Sequence, residues 1–159
     1  MIRVKLSTNI PEWPIFRQTP AEKGVWGEFQ FFLDENIPEY DWWVVFEGVR
    51  KEERVVCPPN RTILITGEPP DIKKYQPSFL RQFHAIITTQ PTITAPHVYS
   101  AQLFEWYVGV HFNLAKRKID YFTKNYDELR DMGDIPKTKL LSVITSNKKK
   151  TPDHQQRLL

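Results

Sequence analysis

One acidic residue of the sequence is placed as a general base would need to be. Glu68 lies between Gly67 and Pro69, directly after the apolar run 62–66. Glycine permits backbone conformations closed to other residues, whereas Pro69 fixes its own φ and keeps Glu68 extended. The carboxylate is therefore expected on a stiff turn, and a base must lie within hydrogen-bond reach of the proton it removes. On these residues alone an ordinary solvated turn carboxylate is favoured, because the spacing is not a specific motif.

A second candidate is an anion site in the segment SNKKKTPDHQQR, residues 146–157. A helix that begins near Pro152 would offer unpaired N–H groups and the positive end of its dipole to a phosphate. Lys148 and its two lysine neighbours add positive charge, and Arg157 is placed to turn toward a bound diphosphate. A solvated run of charge is the favoured alternative for the lysines. For Arg157 the two interpretations are about even.

Tryptophan rings could stack on sugars, because each has a broad apolar face and a polar edge. Trp13 stands between Glu12 and Pro14 after the first predicted strand and is the better candidate for contact with a sugar ligand, although a core position is favoured. Trp42 and Trp43 lie in a predicted strand and are expected in the core. The four histidines have no metal-ligand spacing, so no metal site is predicted.

These residues are expected on the loops of an α/β sheet. Continuous apolar runs are typical of strands covered on both faces of a parallel sheet. The predicted strands are 2–6, 42–46, 62–66, 85–88 and 140–145, and the predicted helices are 25–36, 77–83 and 125–133. The proline-rich stretch 89–113 is expected to be an ordered loop. This alternation predicts a Rossmann-like, three-layer α/β domain with a mostly parallel sheet, in which ligands collect beyond the carboxyl ends of the strands.

Composition narrows the class of protein. The chain has 159 residues, of which 40% are hydrophobic and 13% aromatic, which is enough for one globular core. No run approaches the length of a membrane span, and Cys57, the single cysteine, fits a reducing, cytoplasmic compartment. The net charge is only +3, with basic runs at 147–152 and 116–118. A nucleic-acid binder, which usually needs a broad basic face, is therefore a weak third alternative.

The end of the chain predicts a domain boundary. Thr151 and Pro152 are typical of the start of a helix, but only one further turn follows before Leu159. We expect residues 1–135 to form one domain and residues 136–159 to begin a second, truncated one.

Several ordered segments resemble glycosyltransferase family ten, the α-1,3/4-fucosyltransferases. These segments are DWWVVFEG, CPPNRTILITGEPPDIKKYQPSFLRQFHAIITTQ, EWYVG and KTKLLSVITSNKKKTPDHQQRLL. The resemblance runs from about Asp41 to the last residue, with TGEP and SNKKKTP as its most specific parts, and it is weaker over the first forty residues. It covers the N-terminal half of the family's pattern.

The resemblance implies the N-terminal, acceptor-side domain of a two-domain GT-B glycosyltransferase that transfers fucose from GDP-fucose to an oligosaccharide hydroxyl with inversion. It implies that Glu68 is the general base. It also implies that Arg157 contacts the donor diphosphate, with Asn147 and Lys148 in the same nucleotide-sugar site, and that no cofactor or metal is required. The donor-binding segments of the family are absent from this sequence, so the chain alone is expected to be inactive. A non-catalytic module that binds a sugar or a phosphorylated ligand is the alternative.

Overall fold

Strands form most of the regular structure. The computed structural model describes residues 1–10, 13–101, 103, 106–113, 115–116, 118–141 and 155–156. The strands are β1 (Ile2–Thr8), β2 (Val25–Trp26), β3 (Phe29–Leu33), β4 (Trp42–Phe46), β5 (Thr62–Ile65), β6 (Ala85–Thr88), β7 (His97–Ser100), β8 (Val110–Asn113) and β9 (Lys118–Phe122). The helices are α1 (Pro77–Leu80) and α2 (Tyr126–Asp131), with short 3-10 helices at Ile15–Gln18, Pro20–Glu22 and Pro59–Arg61.

Seven strands form one sheet in the order β2-β3-β1-β4-β5-β6-β7, and β8 pairs with β9 in a separate hairpin. All pairs in the large sheet are parallel except β2 with β3. The predicted class, α/β with a mostly parallel sheet, is confirmed at this level, although the described residues contain few helices. In the described part of the chain, no helix has the length and apolar character needed to cross a membrane.

Four predicted strands and two predicted helices are confirmed. The strands predicted at 2–6, 42–46, 62–66 and 85–88 are β1, β4, β5 and β6, with ends within two residues of the prediction. The helix predicted at 77–83 is the shorter α1, and the helix predicted at 125–133 is α2. Asn125 caps α2 as expected, and Glu128 completes a capping box with it. Residues 142–145 of the fifth predicted strand lie outside the described residues.

The helix predicted at 25–36 is wrong, because this stretch forms β2 and β3. Phe29, Phe32 and Leu33 have helical spacing, but Phe29 and Phe31 also alternate, and their rings lie on one side of β3 with centroids 6.5 Å apart. The backbone of Gly27, with φ +57, turns the chain between the two strands. Pairing of β3 with β1 then satisfies its backbone along five residues.

The long loop predicted at 89–113 is wrong in part. His97–Ser100 form β7, the edge strand beside β6, and Val110–Asn113 form β8. All four residues of β7 are exposed. Val98 and Tyr99 are residue types enriched in strands, but β7 is only four residues long, prolines precede it, and its exposed side chains form no hydrophobic pattern.

The main buried cluster lies on one face of the large sheet. Val45, Leu64 and Ile86 are fully buried there, at neighbouring positions of β4, β5 and β6, and Phe83 and Ile93 pack against them. The opposite face carries the alternate residues of the same strands. The core thus fixes the strands whose carboxyl ends form the candidate site.

Candidate active site at the carboxyl edge of the sheet

The carboxyl ends of β4, β5 and β6 lie side by side because these strands are parallel neighbours. Glu47 directly follows β4, Glu68 comes three residues after β5, and Gln90 comes two residues after β6. Glu68 is exposed on a bend of the chain, whereas Glu47 and Gln90 are only 6% and 4% exposed. The predicted position of Glu68, beyond the carboxyl end of its strand, is therefore observed.

The order of the strands reverses at this edge. From β1 the chain moves to β3 on one side, and from β4 it continues through β5, β6 and β7 on the other. In open α/β sheets, ligands bind in the crevice at such a reversal. Here that crevice lies between the ends of β1 and β4, where Thr8 pairs with Phe46. Glu47 is the next residue of the chain after Phe46.

The Glu47 carboxylate holds the turn that carries Glu68. Its Oε1 accepts hydrogen bonds from the backbone N–H groups of Gly67 and Glu68, the latter at 2.8 Å. Its Oε2 accepts from the Lys73 ammonium at 2.8 Å and from the Tyr75 hydroxyl at 2.7 Å. Lys73 also donates to the backbone carbonyl of Glu47. One buried carboxylate thus joins the loop after β4 to both ends of the segment 67–75.

These contacts keep Glu47 ionised. Burial alone would raise the pKa of the Glu47 carboxyl, but the hydrogen bonds from Lys73, Gly67, Tyr75 and Glu68 outweigh it and lower the pKa below its ordinary value. Burial, the hydrogen bond to Glu47 and the negative charge of Glu47 raise the pKa of the Tyr75 hydroxyl far above its ordinary value. At neutral pH the site therefore contains a carboxylate and a neutral phenol that donates to it.

Gln90 fixes the other side of the same turn. Its side-chain amide donates to the carbonyl of Glu68 at 2.7 Å and to the carbonyl of Lys73 at 3.1 Å. Its own backbone N–H donates to the Thr88 hydroxyl at 3.0 Å, and the Thr66 hydroxyl donates to the same oxygen at 2.6 Å. Both backbone groups of Glu68 are consequently bound to buried side chains, while its carboxylate is exposed. The special backbone conformation expected of Gly67 is not found, because its φ is not in the left-handed region. Gly67 instead leaves room for Glu47, since a Cβ at this position would lie 3.2 Å from Glu47 Oε1.

The turn is unsuited to a phosphate. Loops at this edge of α/β sheets commonly bind phosphates through free backbone N–H groups. In this chain the N–H groups of Gly67 and Glu68 already donate to an internal carboxylate. A phosphate would have to displace Glu47 and approach Glu68, and both carry negative charge. The turn instead presents one carboxylate to a ligand that can donate a hydrogen bond.

Trp13, predicted to contact an acceptor, is packed within the fold. It is only 8% exposed, and its ring lies against Tyr107 with centroids 4.8 Å apart. Its indole N–H is buried and finds no hydrogen-bond partner among the described residues. Most of its face is therefore covered by neighbouring side chains. Its role in acceptor binding stays a prediction.

Arg17 is a buried residue that the sequence patterns did not single out. It is 1% exposed, and its guanidinium donates to three backbone carbonyls, those of Trp106, Lys124 and Val108, the last at 2.9 Å. Burial lowers its pKa from the ordinary value of arginine. Arg17 therefore fixes the segment 106–109, including Tyr107, which covers Trp13.

Glu47 was also missed, although the sequence contains a signal for it. Like Glu68, it follows an apolar strand and has a glycine neighbour, Gly48. The two strands are adjacent in the sheet, so their two glutamates meet. The predicted phosphate-binding residues, Arg157, Asn147 and Lys148, lie outside the described residues.

The described residues contain no group of three or more His, Cys, Asp or Glu side chains placed to hold a metal ion. Comparison of the whole chain with profiles of known protein families, with curated proteins and with solved structures found no match.

Proposed function

We propose that this chain is the acceptor-binding part of an inverting glycosyltransferase in which Glu68 is the general base. The observation that carries the proposal is an exposed carboxylate on a turn whose backbone is fixed from both sides, by Glu47 and by Gln90. A general base acts only within hydrogen-bond reach of its proton, so a rigid turn is what the role requires. The resemblance of the TGEP segment to fucosyltransferases supplies the reaction class.

In this mechanism, Glu68 takes the proton of an acceptor hydroxyl while that oxygen attacks the anomeric carbon of the donor sugar. The bond from that carbon to the diphosphate oxygen breaks, and its electron pair leaves with GDP. Attack from the side opposite the leaving group inverts the anomeric centre. Arg157 offsets the charge that develops on the diphosphate, a kind of stabilisation that is typically worth several kcal/mol.

The finer architecture is part of the proposal. A mostly parallel sheet with its candidate base at the carboxyl edge is consistent with the Rossmann-like N-terminal domain of a GT-B enzyme. In that arrangement, GDP-fucose binds mainly to a second domain, and we propose that residues 136–159 belong to it. We propose that the enzyme is cytoplasmic, because its single cysteine, Cys57, fits a reducing compartment.

The alternative is a module that binds a sugar without reacting it. A phosphate-binding module is less favoured at the Glu68 turn, because its backbone N–H groups already donate to Glu47. A sugar-binding module would use the same exposed carboxylate. The two functions differ in whether Glu68 contacts the hydroxyl that reacts.

Titration of the chain with lactose, N-acetyllactosamine and chitobiose, followed by amide chemical shifts in NMR spectra, tests the proposal. We expect a bound sugar to shift the amides of residues 67–71. Glu68→Gln keeps the shape and removes the charge, so a charge-assisted hydrogen bond becomes a neutral one, at a cost of about 1 kcal/mol or a roughly fivefold rise in Kd.

Glu39→Gln is the matched control, because Glu39 is an exposed glutamate with its side chain 62% accessible, and its Kd should equal that of the unchanged chain. Equal affinity of Glu68→Gln and the unchanged chain would contradict an acceptor site at Glu68. With GDP-fucose added, we expect no transfer by the chain alone, and measured transfer would show that the donor site is complete.

A further inference from the structure

A second polar feature lies at the same edge of the sheet. The loops after β3 and β4 enclose a pocket of about 380 Å³ above the side chain of Lys5 in β1. Since β3, β1 and β4 are neighbours in the sheet, this pocket lies next to the strand reversal. We call it the loop pocket, and its lining residues are Lys5, Asp34, Asn36, Arg50, Lys51, Glu52, Glu53 and Arg54.

The floor of the loop pocket is a built polar network. Lys5 is only 2% exposed, and its ammonium donates to the carbonyl of Glu35 at 3.0 Å and to the Asn36 side chain at 3.3 Å. It also lies 3.3 Å from a Glu53 carboxylate oxygen, which accepts a hydrogen bond from the Ser7 hydroxyl at 2.8 Å. The buried lysine thus links the loop after β3 to the loop after β4.

Three of the four cationic side chains of the loop pocket are paired with carboxylates. Lys5 pairs with Glu53, Arg50 pairs with Asp34, and Arg54 pairs with Glu52. The lining contains four cationic side chains, Lys5, Arg50, Lys51 and Arg54, and three anionic ones, Asp34, Glu52 and Glu53, so the net charge is 4 − 3 = +1.

A phosphate site would need a clear excess of positive charge, and a cation site an excess of carboxylates. Paired guanidinium and carboxylate groups instead offer donors and acceptors together. A neutral ligand with many hydroxyl groups uses both without leaving a buried charge unpaired.

One loop connects the pocket to the candidate base. It begins at Glu47, which holds the Glu68 turn, and three residues later it reaches Arg50 at the wall of the pocket. Three residues of extended chain span at most about 11 Å. A ligand in the pocket is therefore within a short oligosaccharide's length of the Glu68 turn.

We propose that the loop pocket binds one ring of a neutral, polyhydroxylated ligand, with Asp34 and Arg50 as its rim contacts. That this ligand is the acceptor sugar rests on the proposed function, since the pocket would then hold one ring while a hydroxyl of another ring meets Glu68. The recognition is by hydrogen bonds to charged side chains, because none of the lining residues is aromatic.

The test uses the double substitution Asp34→Asn with Arg50→Ala. Asn suits the left-handed backbone of Asp34, with φ +55, and removal of both charges leaves the net charge unchanged. Both side chains are partly exposed, at 33% and 45%, so the variant should fold. The control is Asp131→Asn with Arg130→Ala, an exposed pair of the same residue types in α2.

We expect lactose, N-acetyllactosamine or chitobiose to shift the amides of residues 34–36 and 50–54, with Kd at least tenfold higher in the Asp34/Arg50 variant and unchanged in the control. Inorganic phosphate and Mg²⁺ should not compete with the sugar. If both variants unfold on heating at the same midpoint temperature as the unchanged chain, a rise in Kd cannot be attributed to loss of folding.

The two proposals fail separately. Sugar-dependent shifts at residues 67–71 without any at the loop pocket would overturn this assignment and leave the role of Glu68 standing. Sugar-dependent shifts at the loop pocket, with the Kd unchanged by Glu68→Gln, would support the pocket assignment and contradict the role of Glu68. Binding of phosphate but of none of the three sugars would overturn both.

Discussion

Replacement of Glu47 by Gln should destabilise the fold and loosen the Glu68 turn. The amide oxygen of Gln can still accept from the N–H groups of Gly67 and Glu68, but its NH₂ group would face the Lys73 ammonium and the Tyr75 hydroxyl. The variant therefore loses a buried ion pair and the charge on every remaining hydrogen bond.

The expected magnitude follows from burial. Removal of one partner of a fully buried ion pair costs about 3–5 kcal/mol. The Lys73 side chain is 30% exposed and can turn to water, whereas that of Glu47 is 7% exposed, so the cost is expected just below this range. We expect Glu47→Gln to lower the free energy of unfolding by about 2–3 kcal/mol at pH 7. Glu52→Gln, at a side chain 83% exposed, should change it by less than about 0.5 kcal/mol.

The pH dependence gives the sharper test. The pKa of the Glu47 carboxyl is lower in the folded protein than in the unfolded chain. The stabilising effect of the Glu47 carboxylate is thus fully present above the pKa of the unfolded chain, about 4.3. The effect is lost as the pH falls through the lower pKa of the folded protein. Urea unfolding of the two proteins at pH 7 and at successively lower pH should show their difference shrink below about pH 4. A difference that is the same at pH 7 and pH 3, or that never exceeds about 0.5 kcal/mol, would refute this account of Glu47.

Two further substitutions test the elements around the site. Tyr75→Phe removes one hydrogen bond to Glu47 and should lower the free energy of unfolding by about 1 kcal/mol, less than Glu47→Gln does. A loss in urea unfolding larger than that of Glu47→Gln would contradict the assignment of the Glu47 carboxylate as the centre of the network. Gly109→Ala should lower the free energy of unfolding by more than about 2 kcal/mol, because φ is +70 and the new Cβ would lie 2.8 Å from the backbone of Lys124. Gly133→Ala, with φ +63 and open space around it, should lower it by only about 1 kcal/mol. Equal losses for the two variants in urea unfolding would contradict this expectation.

The parts of the fold that the sequence predicted are those with a local physical cause. β4, β5 and β6 are continuous apolar runs because both of their faces carry apolar side chains. α2 was predicted from Asn125 and Gly133, which lie at its two ends. In each case the residues that cause the structure are within a few positions of it.

The parts that were missed depend on partners distant in the chain. The segment of β3 has the apolar spacing of a helix. It forms a strand because it pairs with β1, more than twenty residues earlier in the chain. Glu47 acquires its role from Gly67, Lys73 and Tyr75, which are 20, 26 and 28 residues away. No short window of sequence contains such pairs, although adjacent parallel strands bring them together.

The two polar features of this edge select against ionic ligands by the same means. At the Glu68 turn, the backbone N–H groups that could bind an anion already donate to Glu47. In the loop pocket, three of the four cationic groups, those of Arg50, Lys5 and Arg54, are paired with Asp34, Glu53 and Glu52, and Lys51 leaves a net charge of only +1.

A neutral hydroxylated acceptor meets no penalty at either place, because it brings no charge that would need an unpaired partner. The diphosphate of a nucleotide sugar would have to displace Glu47 at the turn, and in the loop pocket it would meet three carboxylates and a net charge of only +1. Under the proposed function, the donor phosphates would therefore bind to other cationic groups, such as those predicted in the segment 146–157, and the described edge of the sheet would bind the acceptor.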